Sequence, residues 1–96
     1  MMAFEFDKKK SLANKEKHGI DFLDAQDLWQ DDDRIEVEGQ DADEVRFIAV
    51  GKIWDRYWAA VTTNRADNIR IISVRPARRK ERELYEEKKD NSRRIR

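Results

Sequence analysis

Apolar residues come in short bursts, separated by longer charged stretches. Phe4-Glu5-Phe6 alternates and predicts a short first strand. Asp7 stands where a helix N-cap belongs, and residues 8–18 predict a helix with thin apolar content, Leu12 and Ala13 only. His18-Gly19 closes it with a cation-capable residue in the last turn and a glycine just beyond. Asp21 predicts a cap for a second helix over residues 22–29, where Phe22, Ala25, Leu28 and Trp29 share one face. Asp31-Asp32-Asp33 would meet the negative end of a helix dipole and reads as a loop.

Strands are expected next. Residues 35–38 alternate and end in Gly39-Gln40-Asp41, a turn signal. Residues 45–51, 56–63 and 69–75 predict three stronger strands, with a hairpin between the first two and a polar turn over residues 64–68. Strict alternation along the last of them puts Arg70 and Arg75 on opposite faces. Pro76 fits the first position of a final helix running to about residue 87, and residues 88–96 form a charged tail expected to fray. The order β-α-α-β-β-β-β-α implies an α+β fold: a small antiparallel sheet with two N-terminal helices and one C-terminal helix. Residues 1–87 make one domain, as the 96-residue length allows.

Charge changes this picture more than composition does. The chain is 44% charged yet formally neutral. Between Asp21 and Glu44 lie eleven carboxylates and one base, Arg34; between Arg70 and Arg96 lie eleven bases and five carboxylates. Such asymmetry suggests an anion site on one face and an acidic docking surface for a basic partner segment on another. The bland alternative is two solvated faces that balance each other. With no cysteine, disulfides and thiolate metal sites are excluded. One histidine and an Asp trio without a calcium-loop glycine leave no expected metal site or cofactor. No apolar run approaches a membrane span and no signal peptide is evident, so a cytoplasmic location is expected.

Four stretches carry a family resemblance. They are Phe4-Glu5-Phe6-Asp7 with Lys10, Asn14 and Lys17-His18-Gly19-Ile20; Phe22 with Ala25; Arg46 to Gly51; and Thr63, Arg65, Arg70-Ile71-Ile72-Ser73-Val74-Arg75, Ala77, Arg79, Glu81, Arg82 and Tyr85. Together they resemble the BrnT family. Phe6 stands where that family usually has Trp, and Trp54-Asp55 fills a hairpin tip that is often glycine-rich in relatives. The resemblance implies a RelE-like fold and a metal-independent endoribonuclease toxin of a type II toxin–antitoxin system. It also implies an RNA substrate and a BrnA-like ribbon-helix-helix antitoxin, whose complex with the toxin binds promoter DNA through the antitoxin.

Metal-free RNA cleavage uses the substrate's 2′-hydroxyl as nucleophile, so the protein must hold the phosphate, neutralise developing charge and move two protons. Guanidinium groups suit the first two tasks. Arg65, Arg79, His18 and Glu81 are the candidates for the reaction, with Lys17, Arg70, Arg75, Arg78 and Arg82 as RNA contacts. Each has a structural alternative. Arg65 has Asp67 nearby, Arg79 has the acidic segment, and Arg46 reads as a structural strand residue. His18 sits where a helix C-terminus favours a cation anyway, Glu81 lacks a local cation at i+4, and Tyr85 reads as core. A non-catalytic nucleic-acid or protein-binding module is the competing function.

Overall fold

The computed structural model describes residues 3–41 and 43–94. Five strands form one sheet: β1 (Ala3–Glu5), β2 (Ile35–Asp41), β3 (Glu44–Ile53), β4 (Arg56–Arg65) and β5 (Asn68–Pro76). Their spatial order is β1-β5-β4-β3-β2. The meander from β2 to β5 is antiparallel, as expected, whereas β1 lies parallel to β5 and makes the sheet mixed. Two α-helices, α1 (Lys8–His18) and α2 (Arg79–Arg94), and a 3-10 helix (Asp24–Gln30) complete the chain.

Several boundaries differ from expectation for local reasons. The segment after Asp21 is 3-10 rather than α-helical; its Phe22, Ala25, Leu28 and Trp29 still bury together, so tertiary packing and not helix type fixes them. β2 runs through Gly39 to Asp41, because register with β3 continues to Asp41↔Glu44. Pro76 ends β5 instead of starting a helix. α2 starts at Arg79 and continues through Lys88 to Arg94, so the expected loose tail is helical that far. Lys88 helps anchor it, donating from Nζ to the Arg34 carbonyl at 3.1 Å. Ile95 and Arg96 lie outside the described residues.

The hairpin tip at Trp54-Asp55 departs from glycine-rich practice, and the backbone records it. Both residues have positive φ, 55° and 64°, the pairing of a two-residue type I′ turn between Ile53 and Arg56. Holding a bulky Trp there costs about 1–2 kcal/mol. Trp54 is left 55% exposed.

α1 docks by polar side chains. Asp7 caps it by accepting from the Lys9 and Lys10 amides, and Gly19 ends it in the left-handed conformation, donating to the Lys15 carbonyl. Inside, Ser11 Oγ accepts from the Phe22 amide at 2.9 Å. Asn14 bridges two segments: its Nδ2 donates to the Ile20 carbonyl at 2.8 Å and its Oδ1 accepts from the Val74 amide at 3.1 Å. That amide lies past the end of the short β1, and Asn14 supplies the partner that a longer strand would have supplied.

The sheet is covered on both faces at one end. One core holds Ile20, Phe22, Leu28, Trp29, Ala49, Ala60, Ile71 and Val74; the other holds Ile35, Val50, Ala59, Ala77 and Tyr85 beneath α2. The 3-10 layer presses close on its face: a Cβ on Gly51 would meet Asp31 Oδ2 and Leu28 Cγ, each at 3.2 Å. Asp31 ties the layers together. Its Oδ2 accepts from the Lys52 amide at 2.9 Å and the Tyr85 hydroxyl at 2.7 Å, and its Oδ1 from the Asp33 amide at 2.9 Å. Burial raises its pKa, but these three donors outweigh that and hold it below 3.8.

Asp31→Ala is therefore expected to destabilise the fold by about 2–4 kcal/mol, since it leaves three partly buried donors without an acceptor. Tyr85→Phe, which keeps the ring, costs about 1 kcal/mol. The Asp31 contribution is complete above its unfolded value of 3.8 and disappears as pH falls through the lower folded value. Denaturant titrations of wild type and Asp31→Asn should thus converge in acid; a gap that persists there rejects the assignment.

Candidate functional site

Past the cover of α2, the same sheet face stands open and carries arginines. The alternation that placed Arg70 and Arg75 on opposite faces is broken by a bulge. Val61 pairs with Ser73 and the next residue, Thr62, with Ile71, so Ile72 has no partner. One extra residue resets the parity. Burial agrees: Ile69, Ile71 and Val74 all enter the same core, at spacings of two and then three. Arg70 and Arg75 therefore share the opposite, α2-bearing face. Arg65 joins them by register with Asn68, and Arg46 by parity with Ile48.

Strand geometry sets the spacing. Arg65 lies diagonally from Arg70, about 7–8 Å between backbones. Arg46 is two strands from Arg70, about 10 Å. Arg75 stands about 16 Å further along β5. Three carboxylates share the face. Glu5 is 3.9 Å from Arg70, Glu44 is 3.5 Å from Arg46, and Glu81 grips Arg75. The Thr63 hydroxyl, opposite Arg70, donates to Glu44 Oε1 at 3.1 Å. Arg65 is exposed and holds no ion pair among the described residues; its Asp67 alternative is not realised.

These pairs are unequal. The Arg46 and Arg70 pairs are long and about a third exposed, so each contributes under about 1 kcal/mol and an incoming phosphate can displace it. Arg75 and Glu81 form two parallel bonds at 2.7 and 2.9 Å with side chains only 20% and 15% exposed. Glu81 also accepts from the Arg78 amide at 2.7 Å, reaching back from the third helical position as in a capping box. The Arg75 bond above all holds the Glu81 carboxyl below 4.5. A carboxylate so stabilised is a weak base; Glu81 positions Arg75 and starts α2.

The other expected residues lie elsewhere. Lys17 and His18 end α1, which docks along β5 and leads straight into the core of the opposite face through Ile20 and Phe22. Arg79 and Arg82 line a separate hollow of about 580 Å³ beside Tyr57. Four carboxylates, Glu83, Glu86, Glu87 and Asp90, outnumber the two arginines there, so that hollow disfavours phosphate. Arg79 pairs with Glu83 at 3.2 Å, and not with the distant acidic segment. In the same hollow the Tyr57 hydroxyl donates to Glu86, and that bond above all raises the tyrosine's pKa. Glu5 and Glu44 are face residues that sequence reasoning missed, and Arg46 had been read as structural; the β3–β4 register gathers Glu44, Arg46 and Thr63, the parallel β1 adds Glu5, and the bulge brings Arg70 to them. Among the described residues no group of His, Asp or Glu is placed to hold a metal ion.

The molecule is thus an α+β domain that gathers guanidinium groups, the side chains best suited to phosphate oxygens, on one uncovered sheet face. A family model described as the ribonuclease toxin BrnT of a type II toxin–antitoxin system matches residues 6–81, and the chain belongs to that family. No curated protein matches the sequence. Membership makes the chain a ribonuclease toxin with an RNA target and an antitoxin partner. Among the described residues, no helix is long and apolar enough to cross a membrane.

Glu81→Gln is expected to cost about 1–3 kcal/mol, through loss of the charge-assisted pair and the helix cap. A double-mutant cycle with Arg75→Ala should return a coupling of about 1–2 kcal/mol at neutral pH. That coupling is fully present above 4.5 and fades as pH falls through the lower folded value. Additive single effects at pH 7 would show that the pair is not coupled.

Proposed function

We propose that the chain is a RelE-like endoribonuclease that cleaves RNA without a metal, through attack of the substrate's own 2′-hydroxyl. The reading rests on one observation joined to the family: Arg46, Arg65 and Arg70 stand within about 10 Å on an uncovered sheet face. Arg65 and Arg70 grip the scissile phosphate and offset the charge that develops on its oxygens. Arg75, held by Glu81, binds a neighbouring phosphate. Glu5 or Glu44 takes the 2′-hydroxyl proton as that oxygen bonds to phosphorus, and the P–O5′ bond breaks with the departing 5′-oxygen protonated by water. Arg78, Arg79 and Arg82 contribute at most outer contacts, and Lys17 and His18, which end α1 where the chain enters the opposite core, take no part in the proton transfers.

The antitoxin is proposed to be BrnA-like, a ribbon-helix-helix protein that carries the complex to promoter DNA. A second reading, a binding module without chemistry, is favoured by one observation: the sole histidine ends α1 and is not on the arginine face.

Purified protein in EDTA should convert RNA to fragments with 2′,3′-cyclic phosphate ends, and a 2′-deoxy substitution at the cut should block it. Arg65→Ala and Arg70→Ala should each lower the rate by about 10²-fold with the fold intact, whereas His18→Ala should leave it within about two-fold. Intact RNA bound in a salt-sensitive way would favour the module instead.

A further inference from the structure

β2 pairs with β3 alone, so the outer backbone groups of residues 35–39 have no strand beside them. Natural edges are commonly blunted by charge on both faces or by proline. This one is divided. Val37, 42% exposed, faces α2 beside Ile48 and Leu84, and Leu84 is itself 41% exposed. The three, with Arg78, Lys80 and Glu81, enclose a groove of about 310 Å³. Glu36 and Glu38 are exposed on the other face of the strand, and neither holds an ion pair among the described residues.

The edge therefore selects by alternation. An added strand would place every second side chain beside Val37 and over the groove, and the rest beside Glu36 and Glu38. Apolar residues suit the first set and basic residues the second; acidic ones would meet like charge directly opposite.

We infer that β2 is the docking edge for the antitoxin, which adds an extended segment of alternating apolar and basic residues as a sixth strand. The partner itself follows from the family; its position and chemistry follow from this edge. Backbone hydrogen bonds along β2 supply affinity, and the groove with the two glutamates supplies selectivity. The occupant would also touch the groove wall at Glu81, whose carboxylate holds Arg75 on the arginine face.

The test uses an end-capped octapeptide of alternating valine and lysine, added to the isotope-labelled chain without RNA. Hydrogen exchange should slow at the β2 amides that do not pair with β3, and not along β5. Glu36→Lys combined with Glu38→Lys should weaken binding about ten-fold or more and make a valine–glutamate octapeptide the tighter ligand. Leu84→Ser should weaken both peptides. Protection elsewhere, or affinity indifferent to the charge reversal, overturns the proposal. Wild-type cleavage of RNA is measured alongside. A chain that cleaves RNA but ignores the peptides loses the docking edge alone; one that binds them but leaves RNA intact loses the ribonuclease reading alone.

Discussion

The carboxylate of Asp31 is the constraint on which the rest of the molecule depends. β2 first pairs with β3 at Ile35↔Val50, so the Lys52 amide lies beyond the ladder and would be an unmet donor. Asp31 meets it from the loop that leaves the 3-10 helix. The same oxygen accepts from Tyr85, buried in the core beneath α2. One side chain thus joins the layers on both faces of the sheet at the point where the backbone alone cannot. The tyrosine answers in kind: burial, and then its bond to Asp31, push its pKa well up, so it stays a donor at any ordinary pH.

That junction sits at the β3–β4 hairpin end, and its position decides where function can lie. There Gly51, Ala59 and Ala60 let both layers close in, and no ligand could enter. Toward the other end α2 has turned away over β3 and β2, leaving β4 and β5 bare on one side. The bulge at Ile72 then matters more than any single arginine. Without it, Arg70 would point into the opposite core and the arginine cluster would lose its centre.

Much of the fold was legible because it follows from local chemistry. Asp7 and Gly19 bracket α1 as their types demand, and the alternation of β3, β4 and β5 announced a meander. Two things were not legible. The motif residue Asn14 carries no periodic signal, yet it stands in for a missing strand partner of Val74. Nor does a one-residue bulge leave a mark in a run such as Arg70 to Arg75, where isoleucines occupy both parities. The site suffered from this second failure: Arg70 and Arg75 were recognised by type but separated onto opposite faces. Arg79 and His18 were assigned to the right helices, but nothing in the sequence told where those helices lie relative to the arginine face.

The remaining coupling runs through α2. Glu81, Leu84, Tyr85 and Lys88 fall at spacings of three, one and three, one stripe of the helix. Along it Glu81 fixes Arg75, Leu84 walls the groove, Tyr85 holds Asp31 and Lys88 reaches the Arg34 carbonyl at the start of β2. A rigid helix cannot release one of these contacts without loading the others. The strength of the Tyr85–Asp31 bond therefore bears on how firmly Glu81 holds Arg75, although the two lie on different parts of the molecule. A contact made at the β2 edge would act on the same stripe, which makes α2 the element through which a partner's presence can reach the arginine face.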